Sequence, residues 1–182
     1  MLPFMPAART KTVFDLPYQS LYQTGFKGLI FDIDQTLVMH GAPVTDQIIE
    51  LFQKLKELGF QLFLLSNNTE ERIAEFNQDL AVPFIPLSDK PHPKNFLKAL
   101  EIMNLAPSET LMIGDQLFTD VLGASRANIS TILVDFLYDP QEGGIGKKRW
   151  VEKIILTSYP LLRQKNKHLD AIKKENHHGF LE

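Results

Sequence analysis

Two carboxylates one residue apart, Asp32 and Asp34, close off the apolar run Gly28-Leu29-Ile30-Phe31, and the polar pair Gln35-Thr36 then breaks the strand pattern. A continuous apolar run of this length reads as a strand buried on both faces, as in parallel sheets, whose carboxyl end opens into a ligand crevice. Charges at the end of a buried strand cost on the order of several kcal/mol unless they are paired or metal-bound. No basic residue lies in the run, so the two acids repel each other and call for a cation. The pattern suggests a nucleophile, a general acid/base and a bound metal.

The rest of the chain repeats the strand-then-helix rhythm. Residues 29–33 predict a strand. Residues 45–58 predict a helix with Ile48, Leu51, Phe52, Leu55 and Leu58 on one face, Thr45 as its N-cap and Gly59 as its stop. Residues 60–65 form a second apolar run that ends in Ser66-Asn67-Asn68. Residues 69–80 read as a helix capped by Thr69, with Ile73, Phe76 and Leu80 inward and Arg72 within reach of Glu71 or Glu75. A short strand at Phe84-Ile85 leads into the turn-rich Ser88-Asp89-Lys90-Pro91-His92-Pro93. A helix over 94–103 is expected to bury Phe96, Leu97, Leu100 and Met103. A strand over 110–113 ends in Gly114-Asp115, a helix follows over 117–127, and a fifth strand spans 130–134. Such alternation implies right-handed βαβ units and a three-layer α/β fold with a doubly wound, mostly parallel sheet. The polar clusters after the strands, and the Lys90 turn, then share one sheet edge.

Composition narrows the function classes. At 182 residues, 44% hydrophobic and 23% charged, the chain suits one globular domain, with a core at about 25–140 and a basic helical extension at about 147–182. There is no cysteine, which removes disulfides, thiol catalysis and thiolate metal sites. The start, Met1-Leu2-Pro3-Phe4-Met5-Pro6, lacks a basic flank followed by a long apolar region, so no signal peptide is expected, and no window is apolar enough for a membrane span. A cytoplasmic protein is the expectation. The net charge of −3 makes no general case for nucleic acid. From Gly146 onward, however, nine Lys/Arg face four Asp/Glu, a local charge of +5 against −8 for the residues before it. That tail reads either as a solvated helix or as a docking element for an anionic surface such as a membrane, RNA or an acidic partner. Gly143-Gly144-Ile145-Gly146 reads as the join, Pro160 as an interruption beyond it, and the five histidines as surface residues.

Four segments, Asp32-Ile33-Asp34-Gln35-Thr36-Leu37-Val38, Ser66-Asn67-Asn68, Lys90-Pro91-His92-Pro93 and Gly114-Asp115-Gln116-Leu117-Phe118-Thr119-Asp120, resemble in order the motifs of the haloacid dehalogenase (HAD) superfamily. The likeness is strongest to the YqeG-type group of subclass IIIA and spans roughly residues 10–155. Asp-x-Asp also occurs in calcium loops, but the Gly and Glu that such a loop needs are missing. Taken singly, Ser66 and Asp115 also suit helix caps, and Lys90 a solvated turn.

The resemblance implies phosphoryl transfer through an aspartyl-phosphate, and thus a Mg2+-dependent phosphomonoester phosphatase. By the same resemblance Asp32 is the nucleophile, and Mg2+ is held by Asp32, Asp115 and the backbone carbonyl of Asp34. Asp120 either coordinates directly or holds a metal-bound water. Asp34 suits the general acid/base, Ser66 and the Asn67 and Asn68 amides suit the phosphoryl oxygens, and Lys90 supplies fixed positive charge, in preference to Lys94. Gln35 departs mildly from the Gly or Asn that many members carry there.

HAD caps are inserted after the first motif or before the lysine turn, and neither place here holds a domain-sized insert, so a capless enzyme is expected. An open site suits a large or membrane-presented phosphorylated substrate, or a homo-oligomer in which a partner subunit supplies the lid. Relatives of the group include phosphatidylglycerophosphate phosphatases, which points to a phospholipid phosphate. The basic tail and the apolar Leu2, Phe4 and Met5 would then give a peripheral membrane contact. The rival expectations are a binding or assembly module whose basic tail engages RNA or protein, and a phosphotransferase.

Overall fold

Period-two alternation decides how the strands are covered. A computed structural model describes residues 5–138, 147–157 and 169. Its strands are β1 (Ala8–Thr10), β2 (Gly28–Phe31), β3 (Gln61–Leu65), β4 (Phe84–Ile85), β5 (Thr110–Gly114) and β6 (Ser130–Val134). They pair in parallel in the order β1-β6-β5-β2-β3-β4. Successive side chains point to opposite faces, so Leu29 and Phe31 of β2, Leu62 and Leu64 of β3, and Leu111 and Ile113 of β5 enter one core. Ile30, Phe63, Leu65 and Met112 enter the other.

Helices complete both layers. The first core is closed by α1 (Tyr18–Gln23), α2 (Asp46–Glu57) and α3 (Glu70–Phe76), which contribute Leu21, Ile48, Phe52, Leu55, Ile73 and Phe76. The second is closed by α4 (Lys94–Met103) and α5 (Leu122–Arg126), through Phe96, Ala99, Leu100, Met103 and Ala124. The result is the expected three-layer, doubly wound sheet. Thr45 and Thr69 cap α2 and α3, accepting from the backbone N–H groups of Ile48 and Arg72.

The strand order places the site. From β2 the chain builds outward to β3 and β4, then returns to β5 on the other side of β2 and continues to β6. That reversal opens a crevice beyond the carboxyl ends of β2 and β5. Asp32 follows β2 and Asp115 follows β5. The loop from Asp34 to Thr45 and the turn from Ile85 to Lys90 carry no inserted domain, so the fold is capless.

Several expectations need correction. The sheet gains a sixth strand, because Ala8–Thr10 pairs with β6 in the register Ala8↔Ile132, and α1 was likewise not read from the pattern. The helix expected to run to Leu80 ends at Phe76, because the Asn77 amide turns back to bond both the N–H and the C=O of Val82. The expected 117–127 helix divides into a wide π turn at Leu117–Val121 and then α5. Leu97 is half exposed, and Ala99 takes the inward place on α4.

The basic helix is present as α6 (Lys147–Leu156). Ile155 and Leu156 pack against Leu117, Val121 and Leu133, and buried Glu152 accepts from the Phe118 N–H at 3.3 Å. Met5 is fully buried, which removes it from the expected apolar N-terminal contact. Leu2, Phe4, the 143–146 join, Pro160, His168, His177 and His178 lie outside the described residues. His40 and His92 are exposed, as expected.

Candidate active site

Lys90 is the hub of the crevice. Its side chain is 3% exposed, and its ammonium donates to Asp32 Oδ1 at 2.5 Å, Asp120 Oδ1 at 2.7 Å and the Leu65 carbonyl at 2.9 Å. The cation that the acid run lacks therefore arrives from 58 residues away. Asp120 is buried at the π turn, where its other oxygen accepts from the Gln116 N–H at 3.1 Å. Gly114 makes room for it, since a Cβ at that position would stand 2.5 Å from Asp120 Cγ. Thr36 donates to Asp115 Oδ1 at 2.9 Å and approaches Asp32 Oδ2 at 3.5 Å, which joins the ends of β2 and β5.

Asp34 faces a different set of groups. Its carboxylate accepts from Asn68 Nδ2 at 2.5 Å, the Gly41 N–H at 3.1 Å and Arg72 Nη2 at 3.4 Å, while His40 Nδ1 lies 3.5 Å away. Arg72 was expected to meet Glu71 or Glu75, yet its guanidinium turns towards Asp34 and donates to the Ala42 carbonyl at 2.5 Å. The two acids of the opening run are thus separated electrostatically, Asp32 to a lysine and Asp34 to an arginine.

Ser66 is buried at the end of β3, its hydroxyl accepting from the Asn68 N–H at 3.3 Å. Asn67 braces the lysine turn, with its Oδ1 accepting from the Ser88 hydroxyl and the Lys90 N–H, both at 2.9 Å. Asp32, Asp34, Ser66, Asn67, Asn68 and Lys90 all line one polar pocket of about 150 Å³. Lys94 stays exposed on α4.

Burial shapes the charges. It pushes the Asp32 carboxyl up to about 7; Lys90 opposes this, and the Asp120 and Asp115 carboxylates reinforce it. Burial pulls the Lys90 ammonium down, but Asp120 and Asp32 outweigh it and hold lysine above its ordinary range.

The donor set fits a hard divalent cation. One oxygen from each of Asp32, Asp115 and Asp120 lies within 4.8 Å of the others, all three residues are buried, and among the described residues the group holds carboxylate oxygens alone. Three carboxylates against one ammonium leave a formal excess of two negative charges. The Asp34 side chain is outside this cluster.

Every residue expected at the site is at this crevice. Thr36 and Arg72 are there too, and neither was given a role from the sequence. The available signal for Arg72 is an irregularity, a cation in the first turn of a helix, where the macrodipole favours acids.

Comparison with known proteins finds relatives in sequence and in fold. Residues 38–128 match the family of haloacid dehalogenase-like hydrolases. The chain is 40% identical over 132 residues to YqeG of Bacillus subtilis, described as a probable phosphatase, covering 72% of this chain and 77% of that protein. It is 34% identical over 88 residues to the glyceraldehyde 3-phosphate phosphatase of Pyrococcus abyssi, covering 43% of this chain but only 37% of that protein. Among solved structures, a HAD family enzyme of Bacteroides thetaiotaomicron in complex with magnesium and inorganic phosphate shares the fold at TM-score 0.53 and 16% identity, over 63% of this chain and 97% of that one.

Proposed function

Because the chain belongs to the haloacid dehalogenase-like hydrolases and aligns with a protein described as a probable phosphatase over most of that protein's length, we propose that it is a Mg2+-dependent phosphomonoester phosphatase working through an aspartyl-phosphate. The observation that carries the reading is the buried cluster of Asp32, Asp115 and Asp120 around Lys90, formally two negative charges in excess, opening onto a polar pocket lined by Ser66 and Asn67. An Asp32 oxygen attacks phosphorus, and the ester P–O bond breaks as Asp34 gives the leaving alkoxide its proton. Water then attacks the phosphorus of the acyl phosphate. Asp34 takes the water's proton, and Asp32 leaves as a free carboxylate together with inorganic phosphate. Lys90 holds Asp32 oriented throughout and balances charge on the transferring group, while Ser66 and the Asn67 backbone meet its oxygens. A Mg2+ ion held by Asp32, Asp115, Asp120 and the Asp34 carbonyl would supply electrostatic stabilisation of the phosphoryl oxygens.

The substrate reading is a phospholipid phosphate such as phosphatidylglycerophosphate. Two features support it. A second cleft of about 400 Å³ runs from Asp115 between β6 and α6, with Leu133, Val134, Phe136 and Leu156 as apolar walls. On α6, Trp150, Val151 and Ile154 are exposed in a helix whose sequence carries Lys147, Lys148, Arg149 and Lys153. Apolar exposure combined with positive charge suits the surface of an anionic bilayer. We read residues 1–182 as one catalytic domain with this extension as its membrane contact.

The test is phosphate release from p-nitrophenyl phosphate and from phosphatidylglycerophosphate in anionic vesicles, with Mg2+ and with EDTA. Expected are loss of turnover in EDTA and in Asp32→Asn. Equal rates with and without the metal, or an active Asp32→Asn, refute the reading.

A further inference from the structure

Among the described residues, Arg72 is the arginine that reaches Asp34, and its location runs against local helix chemistry. It is the third residue of α3, after the Thr69 cap, where a capping box would place Glu or Gln. A cation in the first turn also opposes the helix macrodipole. Its Nε is buried without a hydrogen-bond partner, so the side chain is not arranged to satisfy its own polar groups. What it does satisfy is Asp34 Oδ1 at 3.4 Å and the Ala42 carbonyl at 2.5 Å. The Gly41 N–H donates to the same Asp34 oxygen at 3.1 Å, so the loop after β2 is tied at adjacent residues to the acid and to α3. Local rules are broken most often where function requires it.

We infer that Arg72 is a positioning residue for Asp34, holding its carboxylate and the 39–42 loop in the orientation from which a proton reaches the leaving oxygen. Arg72 is absent from the lining of the polar pocket, whereas Asp34, Asn68 and His40 are present in it. Its path to the pocket therefore runs through Asp34. His40 is no substitute, since its ring is 70% exposed and its contact with Asp34 is 3.5 Å. Asn68 fixes the other carboxylate oxygen, so with Arg72 the carboxylate is gripped from both sides, which restricts its rotation. Precise placement of an acid relative to the leaving atom governs its usefulness.

The assignment rests on the phosphatase reading, and the experiment separates the two. The variants are Arg72→Met, Arg72→Lys, Asp34→Asn and the double variant D34N/R72M. The probes are p-nitrophenyl phosphate, whose phenolate departs without a proton, and phenyl phosphate, whose phenolate is more basic and needs one. The readout is kcat/KM, which reports phosphoryl transfer to Asp32. Arg72→Met is expected to lower kcat/KM roughly tenfold on phenyl phosphate and no more than about twofold on p-nitrophenyl phosphate. In the D34N background the same change is expected to alter kcat/KM by less than about twofold, because the group it serves is gone. Arg72→Lys keeps the charge without the fork and is expected to fall between wild type and R72M. It carries the same leaving-group test should R72M melt below the assay temperature. Equal losses on both esters, or a D34N/R72M loss equal to the product of the single ones, overturn the assignment. Wild-type protein inert towards both esters with Mg2+ refutes the phosphatase reading first and the assignment with it.

Discussion

Lys90→Met tests the electrostatic heart of the site without needing a substrate. Methionine keeps the length and apolar stem of the lysine side chain and removes only the ammonium that touches Asp32 at 2.5 Å and Asp120 at 2.7 Å. At an effective dielectric near 20, one unit pair at about 2.6 Å is worth on the order of 6 kcal/mol before desolvation is counted. Desolvation offsets much of that, and removing one partner of a buried pair costs about 3–5 kcal/mol. Two carboxylates lose their partner here, so the upper part of that range is expected. For a chain of this size, the loss lowers Tm by about 8–20 °C. The assay is urea and thermal unfolding in EDTA, so that no metal substitutes for the lost charge.

The pH dependence has a definite sign. Burial raises the folded-state Asp32 carboxyl to about 7, above its ordinary 3.8, so the fold binds that proton more tightly than the unfolded chain does. The stability it contributes is complete below the ordinary value and is lost as pH rises towards the folded one. Lys90 is the influence that holds the folded value down, so Lys90→Met moves it higher and the deficit deepens on the same climb. The variant is therefore expected to lie closest to wild type near pH 4 and furthest above about pH 7. Asp120→Asn in the Lys90→Met background recovers part of the loss by removing one of the stranded charges. A Lys90→Met protein within about 1 kcal/mol of wild type at neutral pH, or a deficit that is flat with pH, refutes the argument that lysine balances these acids.

Two further substitutions probe the backbone around the site. Gly114→Ala places a Cβ 2.5 Å from Asp120 Cγ; overpacking of this kind costs about 1–3 kcal/mol, and displacing Asp120 from Lys90 lowers kcat, which a thermal melt and a steady-state assay together detect. Gln35 sits at a φ of 64°, and glycine there removes a left-handed penalty of about 1 kcal/mol, so Gln35→Gly is expected to raise Tm by about 2–4 °C. A lower Tm means that the Gln35 side-chain contacts outweigh the backbone strain.

Much of this was readable in one dimension because it is local. The apolar runs that became β2, β3, β5 and β6 alternate faces by the pleat alone, and α2 and α4 repeat at the helical period, so their positions follow from neighbours a few residues away. The acids and amides at strand ends were legible for the same reason, since a parallel sheet brings all its carboxyl ends to one edge. Gln35, by the likeness a place for Gly or Asn, proves to need positive φ.

What stayed hidden depends on groups far apart in the chain. β1 is three residues long, with no period of its own, and exists only because the edge of β6 offers hydrogen bonds. The π turn at Leu117–Val121 accompanies the demands of Asp120, which reaches a lysine 30 residues away. From the sequence, the acids within reach of Arg72 are Glu71 and Glu75, its neighbours on the same helix. Across 38 residues it is drawn to Asp34, in a partly buried setting where attraction between charges is stronger than in water. Sequence alone determined which side chains stand at the sheet edge, because that depends on periodicity. Tertiary structure decided which acid each cation neutralises, because pairing depends on distance and burial, and neither exists until the chain has folded.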